Sequence, residues 1–145
     1  MAEYLIGMDV GGTSIKWSLY AREGAEVADA PLAKGSIPTG KGKQGFPESV
    51  REGVLAALNK AKPHTVIAVG LCTPGRFLPP DFEVVAPNTA HNLCPPNARH
   101  ELDNAPLKQM LRDVMPDNLP LYADNDAVVQ MLGLLSSKAI DRQID

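Results

Sequence analysis

Asp9-Val10-Gly11-Gly12-Thr13 puts a carboxylate, two adjacent glycines and a hydroxyl within five residues. Paired glycines let a backbone turn with positive φ and bring peptide N–H groups up to an anion with no Cβ in the way. A carboxylate repels phosphate directly, so Asp9 beside one is suited to hold a divalent cation, Mg2+ through water, because magnesium dehydrates reluctantly. The pattern predicts a nucleotide phosphate with its metal. A hairpin turn carrying no ligand accounts for the same residues. Two other phosphate loops are excluded, since no G-x-x-x-x-G-K-[ST] occurs and Gly11-Gly12 leads into a strand pattern where the dinucleotide fingerprint needs a helix.

Three further groups carry usable chemistry. Asn125-Asp126 opens the last helical pattern, where free N–H groups and the helix dipole favour an ionised carboxylate by about 0.3–1 kcal/mol. Such a carboxylate can take a proton from an alcohol, the recurring side-chain contribution to phosphoryl transfer, and the Asn125 amide can both donate to and accept from a vicinal diol. A plain helix cap is the alternative for the pair. Pro74-Gly75-Arg76 reads as a turn or as a backbone closing round a sugar with Arg76 as donor, and Pro87-Asn88-Thr89 as a turn or a hydroxyl-recognising loop.

These groups need a scaffold. Tyr4 to Met8 is an apolar strand, and Ile15, Trp17 and Leu19 alternate with Lys16, Ser18 and Tyr20 in a second. A third is predicted over Ala25 to Ala33, then a solvated basic loop from Gly35 to Gly45 with Lys41 and Lys43. Pro47 is expected to open a helix with Val50, Val54, Leu55 and Leu58 on its apolar face, ended by Lys60, Lys62 and Pro63. Thr65 to Leu71 reads as a strand buried on both faces. A long Pro-rich irregular segment follows, with a strandlet at Glu83 to Ala86. Asn104 is expected to cap a helix carrying Leu107, Met110, Leu111 and Val114; Leu119 to Ala123 is a strand, and Val128, Val129, Leu132 and Leu135 mark the last helix. The order βββαβαβα, three meandering strands and then crossover units, predicts an α/β fold with a mixed sheet of about five strands. Asp9, Thr73 to Arg76 and Asp124 to Asp126 all fall at strand C-terminal ends, where such sheets gather ligands.

Bulk properties narrow the class. The 145 residues make one domain able to bury about 70% of its unfolded surface. A net charge of -3 argues against nucleic-acid binding, and with no long apolar run and no signal-like start the expectation is a cytoplasmic protein with no membrane partner. Cys72 and Cys94 stand outside any C-x-x-C, and His64, His91 and His100 show no paired ligand spacing. The expectation is therefore half-buried thiols and no zinc site.

Ile6-Gly7-Met8-Asp9-Val10-Gly11-Gly12-Thr13-Ser14-Ile15-Lys16, Val69-Gly70-Leu71-Cys72-Thr73-Pro74-Gly75, Ala86-Pro87-Asn88 and Asn125-Asp126-Ala127 together resemble the N-terminal half of the ROK family of sugar kinases and sugar-responsive repressors. The resemblance runs essentially end to end. It implies an actin-like ATPase (ribonuclease H-like) lobe of an ATP- and Mg2+-dependent glucokinase-like enzyme with a sugar substrate. It makes Asp126 the catalytic base, Gly75, Arg76, Asn88, Thr89 and Asn125 sugar contacts, and Asp9, Gly11, Gly12, Thr13 and, weakly, Lys16 the phosphate and magnesium side. Cys72 stands where a second glycine is frequent, Thr89 where leucine is common, Val128 where asparagine is usual and Leu134 where glutamate is typical. These departures bear on which sugar is bound more than on the fold.

Family kinases are longer, and their second half supplies an adenosine pocket, further sugar-binding acids and a zinc site. Residues 1–145 are therefore expected to be one lobe, incomplete as an enzyme alone, whose open face can self-associate into a homo-oligomer. A polyphosphate donor, with Lys41 and Lys43 as a faint hint, and a non-catalytic sugar-binding or regulatory protein stand as alternatives. The family's repressors carry a helix-turn-helix before the first strand, which this chain reaches within a few residues, and that points away from a repressor.

Overall fold

The computed structural model describes residues 3–23 and 26–124. The expected last helix and Asn125-Asp126 lie outside the described residues. The elements run β1 (Glu3–Val10), β2 (Ser14–Glu23), β3 (Glu26–Val27), β4 (Ala33–Pro38), α1 (Gly42–Ala61), β5 (Val66–Cys72), β6 (Phe77–Leu78), β7 (Val84–Val85), α2 (Leu107–Asp113) and β8 (Leu121–Asp124), with 3₁₀ turns at His91–Leu93 and Pro116–Asn118.

The main sheet is mixed, in the order β3-β2-β1-β5-β8, with β4 also on β2. β1 and β2 form the antiparallel hairpin, and the period of two in β2 is realised as buried Ile15, Trp17 and Leu19 between more exposed neighbours. β5 runs parallel to β1 on one side and to β8 on the other. Its near-continuous burial follows from that central place. β3 pairs Arg22 and Glu23 while β4 pairs Ser14 to Leu19, so the two lie end to end along one edge of β2. The sheet thus has five strand positions.

The predicted third strand at Ala25 to Ala33 is corrected here. That stretch spans the break between β3 and β4, where Pro31 interrupts the ladder and only single bonds from Ala28 N–H to Ala21 O and Leu32 N–H to Leu19 O hold it to β2. The basic loop is corrected too: residues 33–38 are strand and α1 already begins at Gly42, so Pro47 lies buried inside the helix. The helix start is set by a distant partner, since Glu101 Oε1 accepts the Lys43 N–H at 3.3 Å.

Phe46, Val50, Val54, Ala57 and Ala61 form the inner stripe of α1, and Leu55, expected on that stripe, is 43% exposed. Burying each large side chain of this core contributes about 1.5–3 kcal/mol. The helix sits close to the sheet at Gly53, where a Cβ would come within 2.6 Å of Met8 Cε. Leu107 and Leu111 bury the inner face of α2 as their spacing predicts. Asn104 is not its cap; it adopts φ 60° and leaves Pro106 at the N-cap position. Among the described residues no helix is long and apolar enough to cross a membrane.

Candidate functional site

Parallel register fixes the site's frame. Asp9 on β1 pairs with Cys72 on β5, and Cys72 pairs with Asp124 on β8, so three strands end level at one edge of the sheet. Gly11 to Thr13, Thr73 to Arg76 and the residue before Asn125-Asp126 therefore share that edge.

The turn between β1 and β2 is held by its carbonyls. Gly11 O accepts from Thr39 Oγ1 at 2.8 Å, Gly12 O accepts from the Lys41 ammonium, and Thr13 O accepts from Thr39 N–H at 3.0 Å. Gly11 N–H closes the turn on Ser14 O at 2.8 Å. The N–H groups of Gly12 and Thr13 have no acceptor among the described residues, which leaves two donors for an anion. Neither glycine has positive φ; the described glycines that do are Gly42 and Gly75. The glycine requirement is close approach instead: a Cβ on Gly12 would stand 3.2 Å from Asn92 Cβ.

Asp9 is exposed beside this turn, cross-strand from exposed Lys16, and has no ion pair among the described residues. Asp9, Gly11 to Ser14 and Lys16 line a hollow of about 240 Å³. An unpaired carboxylate next to free amides suits a water-bridged Mg2+ on a phosphate.

A larger cleft of about 640 Å³ opens on the other side of Gly12 and Thr13, with Lys41, His91, Asn92 and Arg99 among its walls. Lys41 is no solvated excursion: its Nζ also donates to Asn92 O at 2.6 Å, tying the segment before α1 to the 3₁₀ turn. Two of its three donors are used, and the third is left for a ligand. The sequence named Lys41 only as a hint of a polyphosphate donor and gave no sign of Thr39, Asn92 or Arg99; the contacts of Thr39, Lys41 and Asn92 here span 28 to 51 residues.

Beyond β5 two loops brace each other. Gly75 turns with φ 106°, and Arg76 N–H donates to Thr89 Oγ1 at 3.1 Å while Thr89 Oγ1 donates to Ala86 O at 2.7 Å. The Thr89 hydroxyl is thus spent inside the fold. Asn88 is exposed with φ 65°, and its N–H donates to Asp103 Oδ1 at 3.1 Å. That bond holds the Asp103 carboxyl below the ordinary value of 3.8; desolvation opposes it and the His100 side chain adds in the same direction. The side chains of Asn88 and Arg76 have no hydrogen-bond partner among the described residues, whereas Thr73 is buried and donates to Pro74 O. Cys72 and Cys94 are buried, not half-buried.

No protein-family model matches the chain, and no curated protein does. Solved structures do. A ROK family glucokinase from Streptomyces griseus, in complex with glucose and AMPPNP, superposes over 86% of this chain with a TM-score of 0.59 at 24% identity. The inorganic polyphosphate/ATP-glucomannokinase from Arthrobacter sp. strain KM does so over 86% with a TM-score of 0.53 at 25% identity. This chain has the ROK-family fold. A ROK family transcriptional regulator, a homologue of the E. coli MLC protein, shares it over 86% with a TM-score of 0.58 at 15% identity, so the ROK fold alone does not separate kinase from regulator. The chain spans 33% of the glucokinase and 45% of the glucomannokinase.

Proposed function

We propose that residues 1–145 are the N-terminal lobe of a ROK-type hexose kinase that transfers the γ-phosphoryl group of ATP to a sugar hydroxyl. The observation that carries this reading is the turn at residues 11–13, whose carbonyls are all tied to Thr39 and Lys41 while the amides of Gly12 and Thr13 stay free. It lies at the same sheet edge as β8, which leads directly into Asn125-Asp126.

Gly12, Thr13 and Lys41 bind the transferred phosphate, and Asp9 holds Mg2+, which neutralises phosphate charge when bound. Gly75, Arg76, Asn88 and Asn125 orient the sugar, with Thr89 bracing the loops that carry them. Asp126 takes the proton of the attacking hydroxyl. Phosphoryl transfer asks a protein mainly for positioning and charge stabilisation, and closure of a second lobe over this wall excludes water. A donor and acceptor screen on the full-length protein tests the reading: ATP-dependent phosphorylation of at least one hexose is expected, and no phosphoryl transfer to any hexose contradicts it.

A polyphosphate donor is the second reading. Lys41 and Arg99 on the larger cleft favour it, since they extend positive charge away from the phosphate turn. Polyphosphate outcompeting ATP as donor, with the preference reduced in Lys41→Met, is the expected result if it holds.

A further inference from the structure

His91, His100 and Asp103 each offer a ligand atom, and these atoms all lie within 4.8 Å of one another. The two imidazoles meet edge to face with centroids 5.0 Å apart. We propose that these three side chains form a binding site for a divalent transition cation of the zinc class, bordering the larger cleft.

Two imidazoles and one carboxylate suit Zn2+ or Co2+ and not Mg2+ or Ca2+, which take oxygen ligands. Ligand atoms about 2.0–2.1 Å from a tetrahedral metal sit roughly 3.4 Å apart. The present spacing closes to that by turning His100, whose side chain is 63% exposed. Asp103 is already oriented, with Oδ1 on the Asn88 N–H at 3.1 Å and Oδ2 at 2.9 Å from His100 Nδ1. The Asn88 bond is an outer one of the kind that aims a ligand carboxylate, and the His100 contact, between two of the ligands, is exchanged for their metal bonds as His100 turns.

His91 carries the second observation: its Nε2 is buried and has no hydrogen-bond partner, while Nδ1 accepts from Arg99 at 3.2 Å. An orphaned buried ring nitrogen is costly, and a cation would satisfy it. Ligation through Nε2 moves the ring proton to Nδ1, and ligation through Nδ1 displaces Arg99 directly. Either way Arg99 gives up its bond. Because His91 also lines the cleft beside Lys41 and Asn92, the cation would pin residues 91–103 against the phosphate turn and add positive charge there. No sequence spacing motif marks these ligands: the backbone path between His91 and His100 brings the two rings together.

The proposal does not depend on the kinase reading, and its test reads binding alone. The 145-residue chain is titrated with ZnCl2 by calorimetry in excess Mg2+, and with CoCl2 by visible absorption. One equivalent is expected to bind, with ligand-field bands for Co2+. His100→Ala and Asp103→Asn each weaken binding at least tenfold, Arg99→Ala tightens it, and Cys94→Ser and His64→Ala leave it unchanged. Far-UV circular dichroism checks that each variant is folded. No saturable binding, less than tenfold weakening in folded His100→Ala, or loss only in Cys94→Ser overturns the site.

Discussion

The turn at residues 11–13, proposed to bind phosphate, and the loops of residues 73–106, proposed to bind sugar, lie at one edge of the sheet but are held by different means. The turn is framed by β1, β2 and α1 and anchored on a fully buried core, with Phe46, Met8, Ile15 and Leu19 at 0% exposure. The segment 73–106 has only β6, β7 and a 3₁₀ turn as regular structure; it sinks Val85, Leu93 and Leu102 into the core, but its exposed loops are fixed by single side-chain bonds such as Thr89 to Arg76 N–H and Asp103 to Asn88 N–H. Periodic burial in regular elements builds the first region; the second adds a few side chains to the same core and fixes its exposed loops by individual polar partners. A lesion in the first should unfold the lobe, whereas one in the second should loosen a loop.

The sharpest break of that comparison is Phe46→Ala, expected to cost about 3–5 kcal/mol because the cavity lies beneath both α1 and the sheet. Urea denaturation followed by circular dichroism measures it; a loss under 1 kcal/mol would place the core elsewhere. Thr89→Val should cost about 0.5–1.5 kcal/mol by removing the bonds to the exposed Arg76 N–H and to Ala86 O. Hydrogen exchange should then speed at Arg76 and Ala86 and stay unchanged at Val69 in β5. Lys41→Met removes an exposed ammonium, so stability should move by less than about 1 kcal/mol. Phosphate or polyphosphate affinity measured by calorimetry should fall several-fold all the same.

The smallest effect is acid sensitivity at the second region. The Asp103 carboxyl is lowered in the folded protein, so its contribution is fully present above the unfolded value near 3.8 and is lost as pH falls through the folded one. Asp103→Asn should remove that increment from the neutral side of a thermal-melt profile, leave the acid limit below the folded value unaltered, and so flatten the fall in melting temperature between them.

The same contrast governs what the sequence made legible. β2, β5 and α2 could be read because alternation, continuous burial and the Leu107/Leu111 spacing are local signals. The break between β3 and β4, the start of α1 and the conformation of Asn104 could not, since a proline interruption, Glu101 and tertiary packing decide them. At the site, the importance of Gly12 was legible but its reason was not: it faces Asn92, eighty residues away in sequence. Lys41 looked like loop charge because its partners are carbonyls, which no side-chain motif announces.

Under the proposed function Asp126 serves as the base, and replacing it tests the account most directly. In the full-length protein, steady-state hexose phosphorylation by Asp126→Asn should show kcat reduced by about 10²–10⁴-fold with the KM for sugar little changed, as loss of a general base requires. An unchanged kcat would contradict the assignment of this lobe to a sugar kinase that uses Asp126 as its base.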